Sequence, residues 1–100
     1  MKIIESSYFD SWLMRLANGL DKARILRRLE KIKETGKLGD WSSVGDGIFE
    51  LRFFFGPGYR LYFIKQGESV IILLVGGNKD TQIRDIKKAK QIAREYDNEN

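Results

Sequence analysis

The run Val70-Ile71-Ile72-Leu73-Leu74-Val75 is apolar throughout. Successive strand side chains point to opposite faces, so a strand with one wet face alternates polar and apolar residues. An unbroken apolar run bounded by turn residues instead predicts an inner strand buried on both faces, with Gly76-Gly77-Asn78 breaking it. Two further β-rich runs precede it, Ile48 to Phe54 and Tyr59 to Lys65, and the inner strand spans Ser69 to Val75. The links Phe55-Gly56-Pro57-Gly58 and Gln66-Gly67-Glu68 are turn sequences, so the three runs read as an antiparallel meander.

Helices flank this sheet in the sequence, which makes the chain an α+β protein. After a short strand over residues 2 to 5, Ser7-Tyr8-Phe9-Asp10 has the Ser-x-x-Asp form of a helix start. Phe9, Trp12, Leu13 and Leu16 then recur at helical spacing, and Asn18-Gly19 closes the helix. Asp21 caps a second helix with Ile25, Leu29 and Ile32 as its buried stripe, widened by Leu26, and Gly36 as its end. So short a link predicts an antiparallel helix pair, apolar inside, with Lys22, Arg24, Arg27, Arg28, Lys31 and Lys33 outside. Residues 39 to 47 form a Gly-rich connection carrying Trp41. Asp80 or Thr81 caps a last helix in which Ile83, Ile86, Ala89, Ala93 and Tyr96 share one face and Arg84, Lys87, Lys88, Lys90 and Arg94 crowd the rest. A single domain over residues 1–96 and a polar tail over 97–100 account for the chain of 100 residues.

Composition restricts the chemistry. The sequence has no cysteine and no histidine, which removes disulfides, thiolate nucleophiles, His-based zinc sites and imidazole acid-base catalysis. No glycine-rich phosphate loop precedes a helix and the carboxylates do not cluster, so neither a cofactor nor a metal is expected. No stretch approaches the roughly 18 apolar residues of a membrane span, and the opening apolar run is too short for a signal-peptide core, so a cytoplasmic protein without a membrane partner is expected. The net charge of +4 suits an anionic partner, either nucleic acid or an acidic protein.

Alternation along the meander places Phe49, Leu51 and Phe53 on one face and Glu50, Arg52 and Phe54 on the other. In the next strand Leu61 and Phe63 match the apolar face, leaving Arg60, Tyr62 and Ile64 opposite. Matching the apolar faces gathers Arg52, Arg60 and Tyr62 on one surface across a five-residue connection. Unpartnered burial of two guanidinium groups is costly, so this surface is expected to be open to water or to an anion. Two readings stay open. Glu50 can pair with Arg52 or Arg60 while Tyr62 covers the core edge, or the arginines can grip phosphate while Tyr62 stacks on an unpaired base. RNA cleavage without histidine would activate the ribose 2′-hydroxyl with a carboxylate, lysine or tyrosine, with arginines stabilising the phosphorane. Lys79, near the start of the last helix, is either a solvated loop lysine or a group that neutralises phosphate or protonates the leaving 5′-oxygen.

The segments Glu50-Leu51-Arg52, Phe55-Gly56-Pro57-Gly58-Tyr59-Arg60-Leu61-Tyr62-Phe63 and Leu74-Val75-Gly76-Gly77-Asn78-Lys79-Asp80-Thr81-Gln82 resemble phage-type addiction-module killer proteins, the HigB-like members of the RelE/ParE superfamily. The resemblance also takes in Lys22-Ala23-Arg24 and the final Asp85-Ile86-x-x-Ala89-Lys90. It implies a RelE-like fold, two N-terminal helices packed on a twisted antiparallel sheet with a C-terminal helix, and an antitoxin partner of helix-turn-helix type. It further implies the toxin of a type II toxin–antitoxin system. In the RelE and HigB branch such toxins cleave messenger RNA on the ribosome; in the ParE branch they inhibit DNA gyrase by protein binding, and fold alone does not choose. Carried over by position, the cleft residues are Arg52, Arg60 and Lys79, with Tyr62 as the stacking ring. Ribosomal RNA would be met by Arg24, Arg27, Arg28 and Lys31. RelE also places a catalytic tyrosine near its C-terminus; Tyr96 lies in that region, but its helical phase points to the core.

Overall fold

The sheet is organised around the apolar run. In the computed structural model, which describes residues 1–97, strand β5 (Val70–Asn78) has a neighbour on each side. The strand order is β1-β5-β4-β3-β2, with β1 at Lys2–Glu5, β2 at Trp41–Gly45, β3 at Ile48–Arg52 and β4 at Tyr59–Gln66. Strands β2 to β5 pair antiparallel, and β1 adds to β5 in parallel. The expected meander is thus present, extended by a strand at either edge.

Both faces of β5 are covered. Ile71 and Leu73 face a core shared with Leu51, Leu61 and Phe63 and with Phe9, Leu13, Ile25, Leu29 and Ile32 of helices α1 (Ser7–Met14) and α2 (Gly19–Thr35). Ile72 and Leu74 face a second core built with Ile48, Tyr62 and Ala89, Ile92 and Ala93 of helix α3 (Gln82–Asp97). No helix of the described residues is long and apolar enough to cross a membrane.

Several boundaries differ from the sequence expectation, each for a local reason. Ser6, not Ser7, caps α1: its hydroxyl accepts from the Phe9 N–H at 3.0 Å and donates to the Leu74 carbonyl at 2.6 Å, tying the helix to β5. Asn18 does not close α1 but starts α2, its side chain accepting from the Asp21 N–H at 3.0 Å. Asp21 is therefore no cap; it is buried in the first turn of α2 and accepts a hydrogen bond from the Tyr59 hydroxyl at 2.8 Å. Leu26 is 40% exposed and does not widen the buried stripe, while Gly36 ends α2 in the left-handed conformation as expected. The connection around Trp41 contains edge strand β2, paired to β3.

Gly76 and Gly77 continue β5 rather than breaking it, because they make room on its two faces. A Cβ on Gly76 would overlap the Trp12 ring, and one on Gly77 would overlap the Asp85 carboxylate. Neither Asp80 nor Thr81 caps the last helix. Asn78 caps a 3-10 turn over Lys79–Thr81, accepting from the Asp80 and Thr81 N–H groups, and this turn leads into α3. The inward positions of the first α3 turn belong to Gln82 and the buried Asp85, which rotates Ile83 outward to 89% exposure and brings Ile92 inward in its place. Of the expected polar tail, residues 98–100 lie outside the described residues, and Asp97 is the last residue of α3.

Two measurements check this packing. Gly76→Ala drives a methyl into a packed indole ring and should cost about 1–3 kcal/mol of stability, read from the midpoint of chemical denaturation. Burial, reinforced by the bond to Asp21, pushes the Tyr59 phenol up to about 12. A raised folded pKa favours the fold fully below the unfolded value near 10 and loses that contribution as pH climbs to about 12. Tyr59→Phe should therefore flatten the alkaline fall in stability across that window; an unchanged pH profile would contradict the assignment.

Candidate nucleic-acid interface

Arg52 and Arg60 face each other across β3 and β4, as do Glu50 and Tyr62. The Phe53 N–H donates to the Tyr59 carbonyl at 3.0 Å, which leaves the five residues Phe54 to Gly58 as the connection. The register deduced from alternation is thus the one observed. The surface it creates is not an open cleft, however, because α3 lies across it.

Under α3, Tyr62 is fully buried with Ile48, Ile72, Leu74, Ala89 and Ile92. Its ring offers no face to a base in this conformation, contrary to the expectation of an exposed stacking residue. Burial, with the Glu50 and Asp85 carboxylates adding to it, raises the phenol well above its usual range, so it stays protonated at neutral pH. Its hydroxyl is buried with no hydrogen-bond partner among the described residues. Glu50, 4% exposed, accepts from the Gln82 amide at 2.8 Å, and the same oxygen lies 3.9 Å from Arg60 Nε. Arg52 turns to the sheet edge and pairs with Asp40 at 2.7 Å. The ion pair with Glu50 offsets the charge of Arg60 beneath α3, while Arg60 Nε itself is buried with no hydrogen-bond partner among the described residues.

The face opens at its end. Tyr59 pairs with Asn78, which brings the turn before β4 against the residue after β5: a Cβ added to Gly58 would stand 3.4 Å from the Lys79 Cβ and 3.8 Å from Arg60 Nη1. Arg60 and Lys79 line one depression of about 340 Å³ with Phe53, Phe54, Gly56, Pro57 and Gly58. Arg60 Nη1 reaches the Gly58 and Tyr59 carbonyls at 3.3 Å, and Lys79 is exposed with no ion pair among the described residues. Two cations at one rim can neutralise a phosphate and stabilise charge building on it. Of the four cleft residues expected from sequence, Arg60 and Lys79 come together here, Arg52 flanks them and Tyr62 lies beneath α3. Sequence patterning marks Glu50 only as an ion-pair partner and does not mark Gln82 at all. Their contact has no signal in local spacing, since the two residues meet through the docking of α3.

The basic residues of α2 lie on the opposite side of the sheet. Arg24, Arg27, Arg28 and Lys31 line a groove of about 540 Å³ with Ile32, Lys37, Leu38, Gly39 and Asp40. Arg28 has an internal task. Its guanidinium donates to the carbonyls of Leu38, Asp40 and Arg52 and lies 4.5 Å above the Phe53 ring, and burial lowers its pKa from the usual arginine value. Arg24 stands over the Phe55 ring at 5.2 Å. Arg27 and Lys31 are exposed. Arg28→Ala, which strands three carbonyls, should cost at least about 1–3 kcal/mol, whereas Arg27→Ala should change stability by no more than about 0.5 kcal/mol. Equal effects in a denaturation experiment would show that Arg28 is not the tie between α2 and the sheet.

Comparison with known proteins bears on the whole of this arrangement. The family model described as phage derived protein Gp49-like matches residues 11–97. A protein of Haemophilus influenzae is 51% identical over 87 residues, which is 87% of each chain. Among solved structures, a chain of the intact E. coli RelBE toxin–antitoxin complex matches with a TM-score of 0.61 at 13% identity, over 77% of this chain and 94% of that one. The helices, sheet and closing helix described above thus form a RelE-like fold.

Proposed function

For a chain that belongs to the phage-derived Gp49-like protein family and has a RelE-like fold, we propose the role of toxin in a type II toxin–antitoxin system, inhibiting translation by ribosome-dependent cleavage of messenger RNA. The observation that carries this reading is the depression lined by both the exposed Lys79 and Arg60, whose side chain is 11% exposed and lies behind it, so that two cations border one site for a phosphodiester. In the proposed reaction the 2′-oxygen bonds to phosphorus as its proton passes to solvent water, the P–O5′ bond breaks to leave a 2′,3′-cyclic phosphate, and the departing 5′-oxygen takes up a proton. Arg60 holds the phosphate and stabilises the phosphorane, and Lys79 neutralises it and protonates the leaving oxygen. Arg52, paired with Asp40, flanks this pair from the neighbouring strand. Tyr62 is a positioning residue behind Arg60, held there by α3.

The ribosome and its messenger are the proposed substrate complex, with Arg24, Arg27 and Lys31 as further contacts to ribosomal RNA and Arg28 as the residue that holds their helix in place. The RelBE complex supports a partner antitoxin, here proposed to be of helix-turn-helix type, and the proposed site of action is the cytoplasm. No cofactor is called for by this chemistry.

Mapping of messenger 5′ ends in a cell-free translation reaction tests the reading. New ends should appear with ribosomes, be absent without them, and fall by about 100-fold or more with Arg60→Ala, the scale expected for losing a charge that stabilises the transition state. An intact message together with lost DNA supercoiling in a gyrase assay would overturn it in favour of inhibition by protein binding.

A further inference from the structure

We infer that Phe54 is the platform on which an unpaired base stacks when a single-stranded RNA places its phosphate against Arg60 and Lys79. This rests on the nucleic-acid reading above and supplies what that reading lacks, since Tyr62 is fully buried and cannot play that part in this conformation.

Three phenylalanines enter the turn after β3, and the fold uses two of them. Phe53 is 3% exposed and packs beneath Arg28, and Phe55 packs against the Tyr59 ring and beneath Arg24. Phe54 is 81% exposed. Its direction follows from the strand: the hydrogen bond from the Phe53 N–H to the Tyr59 carbonyl carries the pairing one residue past Arg52. Alternation then puts Phe54 on the face of Arg52 and Arg60, at the end that α3 leaves uncovered. Phe54, Arg60 and Lys79 line the same depression. On the far side of Lys79, the 89% exposed Ile83 shares a second surface hollow with Lys79, Asp80, Arg84 and Lys87.

This composition matches single-stranded RNA. Every base has a flat π-face and every nucleotide a phosphate, so an aromatic ring beside cations binds such a strand with little dependence on sequence. A protein partner could also bury an exposed phenylalanine. Two cations at the rim, one of them without an ion pair among the described residues, favour the polyanion.

Fluorescence anisotropy of a short labelled single-stranded RNA, titrated with the folded protein over a range of salt concentrations, separates stacking from charge. Phe54→Ala should weaken binding by about 5- to 100-fold, the scale of one lost base stack, while leaving the salt slope unchanged. Phe54→Trp should restore the affinity. Lys79→Ala should instead lower the slope by roughly 0.7, the value for one phosphate contact on a single strand. Binding by Phe54→Ala equal to that of the wild type overturns the inference, as does a Phe54→Trp variant that fails to recover. Loss of binding to an antitoxin with RNA binding intact also overturns it. A wild-type protein that binds no free RNA overturns this inference, while the functional reading is decided separately by the ribosome-dependent 5′ ends.

Discussion

The double-sided burial of β5 governs the rest of the structure. A strand apolar on both faces cannot lie at a sheet edge or on an open surface, so it requires a neighbour on each side and a helical layer above and below. The chain provides β1 and β4 as the neighbours, α1 and α2 as one layer, and α3 as the other. Gly76 and Gly77 extend the same logic to the strand's end, where the layers come closer: Trp12 presses on one face and Asp85 on the other. Residues that look like a break in the sequence are thus where side chains of both layers lie close against the backbone.

That architecture also determines what the polar face can be. Because α3 is the cover for β5, it must cross the Glu50 and Tyr62 pair on the neighbouring strands, and the charged residues there are held in an internal network of Glu50, Gln82 and Arg60. The end of the face where the turn before β4 meets Lys79 stays open. The basic groove on α2 and the cations around Lys79 therefore lie apart, with the sheet between them. Arg28 belongs to the first by position but works inside the fold, closing the carbonyls of the segment that leads into β2.

The strand register is legible in the sequence because period-two patterning leaves few choices: matching Leu51 with Leu61 and Phe49 with Phe63 also pairs Arg52 with Arg60. Helix boundaries are less so, since Asn18 suits the end of one helix and the start of the next, and only the geometry shows that its side chain faces the Asp21 N–H. Strand β2 is hidden because an edge strand containing Ser42, Ser43 and Gly45 has little apolar pattern. The burial of Tyr62 is hidden for a different reason. It depends on α3 docking from another part of the chain, and the apolar pattern of that helix points to Ile83 where the docked face uses Ile92. Phe54 lies within reach of the alternation argument, but alternation does not say which of three adjacent phenylalanines the core leaves outside.

The parallel pairing of β1 with β5 joins Lys2 to Val70 and Glu5 to Leu73, and it sets an order for folding. The hairpins among β3, β4 and β5 close over short turns, whereas β1 has no sheet partner until β5 is in place and must be brought to it across most of the chain. The entropy of that closure is lost before any contact is gained. The sheet therefore grows outward from its meander, and β1 is the strand that completes it. Until then one edge of β5, the most apolar strand of the molecule, is an unpaired template on which another chain could add.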